Sequence, residues 1–162
     1  MPEGSARRPA ILVSACLLGF RCNHLAAASP SAAVWALGAD HDLVPICPEV
    51  AGGLGVPRPA AELQPDGSVR TAAGDDLTDA YRRGASVAVA AARSAGVVAA
   101  VLKARSPSCG CADVYDGTFT RTRVPGEGVA ARALRESGVA VLSEEDAAAD
   151  ASMEARALSS AG

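Results

Sequence analysis

The chain has 162 residues, enough for one ordinary domain that builds its own core without disulfide staples. Hydrophobic residues make up 49% of it but aromatics only 3%, so the core must be made of Ala, Val and Leu, with thin helices lying close to a sheet. A net charge of −3 and no basic run argue against nucleic acid as a partner, and no apolar stretch reaches the roughly 18 to 20 residues that span a bilayer.

Residues 1–9 read as an N-terminal extension. Ala10 to Leu18 is a continuous apolar run closed by Gly19, which suits a strand buried on both faces. Val13-Ser14-Ala15-Cys16 also resembles a lipoprotein processing box. Only Ala10 to Ala15 precede that cysteine, however, where a signal core needs roughly 7 to 15 apolar residues. Ser29-Pro30-Ser31 offers a cap and a helix-starting proline for a short helix over Ala32 to Leu37.

Asp42 to Ile46 reads as a second strand, stopped at Cys47-Pro48 because proline lacks a ladder donor. The Gly- and Pro-rich stretch from Ala51 to Pro59 is loop, and Gly67 suits the turn of a small hairpin. From Asp75 to Ala95 the period changes: Leu77, Tyr81, Ala85, Ala88 and Ala92 mark one helix face, with acidic residues near its start. Gly96 caps that helix, and Val97 to Leu102 supplies a third buried strand.

Tyr115 to Phe119 reads as a turn between short extended pieces, Gly126 to Ser137 as a helix, and Val139 to Leu142 as the last strand. The domain runs over 10–146, and 147–162 is an Ala-rich C-terminal tail or helix. Alternating strands and helices predict a single α/β domain of three layers, Rossmann-like, with a mainly parallel sheet. In such folds ligands gather at the carboxyl ends of the strands.

That rule puts Cys16, Cys47 and Cys109 on one rim. The five cysteines are odd in number and lack a convincing export signal, which points to a reducing cytoplasmic compartment and to thiol or metal chemistry. Spacing alone leaves open whether they are buried small hydrophobes or metal ligands, since no C-x-x-C pair is present. Three segments bringing a thiol to one edge favour the second. Glu49, two residues after Cys47, and Ser106 and Ser108, just before Cys109, add polar groups there.

These blocks are together distinctive. Val13 to Gly19, Cys47-Pro48-Glu49-Val50 with Gly52-Gly53 and Pro57-Arg58-Pro59, Leu102 to Gly110 with its Ser106-Pro107-Ser108-Cys109, and Tyr115 to Phe119 resemble the DUF523 family, from about Ala10 to Glu145. The family includes thiouracil desulfurases. The resemblance implies a [4Fe-4S] cluster held by Cys16, Cys47 and Cys109 with one open iron, and hydrolytic, non-redox removal of sulfur from a small thiolated pyrimidine such as 2-thiouracil.

In that reading Glu49 serves as the base for water, and Ser106 and Ser108 hydrogen-bond the substrate or the leaving sulfide. The enzyme would be a monomer or homodimer with no membrane or nucleic-acid partner. The segment Arg21-Cys22-Asn23-His24 departs from the family's Arg-Tyr-Asp-Gly after the cysteine, which leaves the role of Cys22 open. Cys111 also leaves a rival open: a non-catalytic metal-binding or redox module in which Cys16, Cys47, Cys109 and Cys111 hold zinc or a saturated cluster. Arg58 and Lys103 are placed either to steer an anionic substrate or to pair with carboxylates.

Overall fold

The computed structural model describes residues 6–149. Its centre is a four-stranded, wholly parallel sheet in the order β2-β1-β5-β8, with β1 at Ala10–Ser14, β2 at Asp42–Ile46, β5 at Ala99–Leu102 and β8 at Val141–Ser143. Two antiparallel hairpins lie outside it, β3 (Ala61–Leu63) with β4 (Val69–Thr71) and β6 (Asp113–Tyr115) with β7 (Arg123–Pro125). Pro45 sits in β2, an edge strand, where a missing N–H costs the ladder least.

Strand alternation divides the core in two. Ile11 and Val13 pack on one side with Val34 of α1 (Ala32–Leu37) and Ala147 of α5 (Glu144–Ala149), while Leu12 faces Ala88 and Ala92 of α3 (Thr78–Ala95) and Leu134 of α4 (Val129–Glu136). The three-layer arrangement expected from the sequence is therefore present. The tail expected over 147–162 falls for the most part outside the described residues.

The apolar run from Ala10 does not stay extended. It leaves the sheet at Ser14, and Ala15–Leu18 form a 3-10 turn closed by Gly19 at φ 97°. The turn lets Leu17 re-enter the core, where it is 1% exposed. Cys16 thus stands just beyond the strand. Likewise α3 begins at Thr78 rather than Asp75, because the Asp76 carboxylate accepts the Thr78 amide at 2.9 Å and holds a turn before the helix. Ser31 caps α1 by accepting from the Val34 amide at 3.3 Å, so Pro30 lies ahead of the cap instead of at the first helical position.

One short helix has no counterpart among the sequence expectations. α2 (Pro48–Ala51) follows β2 directly, with Cys47 as its N-cap and Pro48 at its start. It is seated on α3 by backbone contact. A Cβ on Gly84 would stand 1.9 Å from the Pro48 carbonyl oxygen, and one on Gly52 would stand 2.0 Å from the Ala80 oxygen. Only glycine permits this approach, and the Arg83 guanidinium closes it by donating to the Gly52 carbonyl at 3.1 Å.

Gly84→Ala is therefore expected to push α2 off α3 and to cost about 1 to 3 kcal/mol, lowering the thermal midpoint by about 2–4 °C for each kcal/mol. Gly55→Ala, where an added Cβ meets nothing within 4 Å, serves as the control. Equal midpoints for the two variants would remove the contact from the account.

Candidate functional site

The strands β2, β1 and β5 are neighbours and parallel, so the segments leaving them emerge on one edge. A cavity of about 430 Å³ opens there, bordered by Cys16 after β1, Cys47 and Glu49 after β2, and Lys103, Ser106 and Cys109 after β5. The three cysteines read from the sequence as one rim are brought to one cavity. The sulfur of Cys109 interacts electrostatically with those of Cys16 and Cys47.

Each thiol is held by its own local structure. Cys47 is fixed by the β2–α2 corner. Cys109 lies in a loop latched to the start of α4, whose free first-turn amides find partners there: Val129 donates to the Pro107 carbonyl at 3.0 Å and Ala130 to that of Ser108 at 2.9 Å. Within the loop the Ser106 hydroxyl accepts the amides of Ser108 and Cys109, at 3.1 and 3.0 Å. Ser106 therefore shapes the turn while also bordering the cavity. Ser108 is fully buried, its hydroxyl has no partner, and it does not border the cavity.

Ser14, which the sequence did not single out, is 2% exposed at the end of β1 and borders the cavity. Its oxygen accepts the Lys103 amide at 2.9 Å, which leaves its single proton for the Cys109 sulfur, to which it hydrogen-bonds. Burial pushes the Cys109 thiol up to about 12 against that bond. Burial, followed by the charge of Cys47, pushes Cys16 up to about 11. The Cys16 and Cys109 thiols are thereby protonated at neutral pH, so a metal taken up by these two sulfurs would displace protons.

Glu49 is held firmly. The Arg58 guanidinium reaches its Oε2 twice, through Nε at 2.7 Å and Nη2 at 2.5 Å, with the two side chains only 7% and 13% exposed. Tyr81 of α3 also hydrogen-bonds Glu49, and burial followed by the Glu49 charge drives its hydroxyl well above the ordinary phenol range. The sequence marked Tyr81 only as a packing position, since its helical period accounts for the ring and says nothing of the hydroxyl. Arg58 is thus a partner of Glu49, and Lys103 binds Glu144 Oε1 at 2.7 Å, which settles both cations as paired.

The other thiols separate. Cys22 borders the cavity and its thiol hydrogen-bonds the Cys47 sulfur. Cys111 does not border it; it packs partly buried against the α3–α4 core. Among the described residues no three His, Cys, Asp or Glu side chains are grouped closely enough to hold a single metal ion, and no helix is long and apolar enough to cross a membrane.

A solved structure of TudS, a [4Fe-4S]-dependent thiouracil desulfidase, superimposes with a TM-score of 0.80 at 40% identity, covering 86% of this chain and 93% of that one. The uncharacterised protein YbbK of Bacillus subtilis is 36% identical over 145 residues, 84% of this chain and 96% of its own length. Residues 11–146 match the 2-thiouracil desulfurase family, and the chain belongs to that family.

Proposed function

We propose that this chain is a desulfurase that hydrolyses the C=S bond of a small thiolated pyrimidine such as 2-thiouracil, using a [4Fe-4S] cluster held by Cys16, Cys47 and Cys109 with one iron free of cysteine. The observation that carries this reading is a single cavity bordered by three thiols from three segments and by a buried, doubly tethered carboxylate. The residues fit the cluster. Thiols are the soft donors that iron–sulfur centres take, Ser14 supplies a hydrogen bond to one sulfur, and all three cysteines line the same cavity.

When bound, such a cluster supplies a Lewis-acidic iron that polarises a thiocarbonyl through its soft sulfur. The chain's own residues handle water and protons. The Arg58 Nε and Nη2 contacts both fall on Oε2 of Glu49, which holds the carboxylate in one orientation. Glu49 accepts a proton from the water that adds to the substrate carbon and returns it to the departing sulfur, and the hydroxyl on that carbon gives up the second proton as the carbonyl forms. Thiocarbonyl and water become carbonyl and hydrogen sulfide, with no net electron transfer. Ser106 borders the same space, which supports a hydrogen bond from its hydroxyl to the substrate. The hydroxyl of Ser108, unpartnered and buried behind the loop, reaches the substrate only if the loop turns it inward.

The rival module with Cys111 as a fourth ligand is less well supported, because Cys111 lies off the cavity.

Protein loaded with iron and sulfide without oxygen should be brown, carry about four irons per chain and release sulfide from 2-thiouracil. Cys16→Ser, Cys47→Ser and Cys109→Ser should each lose iron, whereas Cys111→Ser should not. A colourless protein with stoichiometric zinc would favour the rival. Glu49→Gln is expected to keep its iron and lose roughly 10²–10⁴-fold in sulfide release; undiminished turnover would take Glu49 out of the mechanism. Arg58→Met leaves a buried carboxylate unpaired, at a cost of about 3 to 5 kcal/mol, read as a lower urea midpoint that Glu49→Gln in the same chain should partly restore.

A further inference from the structure

The cavity carries a fourth thiol for which desulfuration has no use. Cys22 lies in the loop between the 3-10 turn and α1, and like Cys47 it is half-buried at the cavity wall, within reach of small reagents. The Cys22 thiol hydrogen-bonds the Cys47 sulfur, and Cys47 Sγ stands 3.7 Å from the Cys22 carbonyl oxygen. Both the side chain and the backbone of Cys22 therefore meet that one sulfur. Cys47 sits at a rigid corner, the N-cap of α2. Cys22 sits in a loop with no ladder or helix of its own, anchored one residue later by Asn23, whose carboxamide oxygen accepts the Leu25 and Ala27 amides at 3.0 and 2.8 Å. Such a loop can make the small backbone adjustment that disulfide geometry demands.

We propose that Cys22 and Cys47 form a reversible disulfide in the cluster-free chain, with a low-molecular-weight disulfide such as oxidised glutathione as the oxidant. One cysteine thiolate attacks the small disulfide and displaces one small thiol, and the second cysteine then attacks the mixed disulfide and displaces the other. Two protein thiols are oxidised to one S–S bond, and one small disulfide is reduced to two thiols. The linked Cys47 has no thiolate to offer iron. The pair thereby shields a ligand from irreversible oxidation and holds the chain unloaded until reduction. The linkage stands on the geometry of the two cysteines, whereas its effect on loading rests on the ligand set proposed above.

The full-length chain, purified without added iron or sulfide, is treated with oxidised glutathione, alkylated, and cleaved at Asp40 and Asp42, which separate the two cysteines. The expected result is loss of two of the five thiols, a cross-linked pair of peptides bearing Cys22 and Cys47, and no uptake of iron until a thiol reductant is added. Cys22→Ser should give no such pair. Retention of all thiols, single glutathione adducts in place of the cross-link, or a bond from Cys47 to Cys16 or Cys109 would overturn the proposal. A cross-linked chain that still loads iron would overturn the effect on loading and remove Cys47 from the ligand set, so the two readings fail on different measurements.

Discussion

Three neighbouring parallel strands end together, and the chemistry depends on that register. β1 pairs Ser14 with Ile46 of β2 and Val13 with Val101 of β5, so the chain leaves the sheet at one level on three adjacent strands. Cys16 and Cys47 follow within two residues of those ends, and the loop that bears Cys109 begins beside them. The register is protected by burial on both faces, because a slip of one residue would exchange Leu12 with Ile11 and Val13 between two filled cores. The position of the thiols is a consequence of packing far from them.

A second constraint is electrostatic. Every cation bordering the cavity among Arg58, Lys103 and Arg105 has a carboxylate partner. Glu144 divides its two oxygens between the Lys103 ammonium and the Ala104 amide, each at 2.7 Å, which fixes the segment leaving β5. The Glu49–Arg58 pair is buried more deeply and needs its other contacts: the Arg58 amide donates to the His24 carbonyl at 2.9 Å and its Nη1 to the Gly55 carbonyl at 3.2 Å. One arginine thus ties the α2 carboxylate to the loop that carries Cys22. Buried ion pairs of this kind contribute little net stability but hold one geometry well.

Much of this was legible in the residues, and the limits have physical causes. The 3.6 period of α3, its Gly96 cap at φ 61° and the Gly67 turn were legible because each is a local signal. α2 was not, since four residues carry no period. The apolar run from Ala10 could not disclose its break at Ser14, because Leu17 is as suitable for a 3-10 turn over a core as for a strand. At the site, the cysteines and Glu49 were visible from their flanking motifs. Tyr81 was hidden behind its own helical period, and Ser14 behind the strand it ends. The pairing of Arg58 with Glu49, nine residues apart, depends on a loop path that no local pattern encodes. Cys111, two residues beyond Cys109, was ambiguous from spacing alone, and its packing against the α3–α4 core keeps it off the cavity.

If three thiols grip one cluster and leave one iron without a cysteine, anomalous diffraction at the iron edge from crystals loaded without oxygen should show one compact group of iron peaks in the cavity, three of them bonded to the sulfurs of Cys16, Cys47 and Cys109 and one to no cysteine. A lone metal peak, or a group in which Cys22 or Cys111 completes the coordination, would contradict that arrangement.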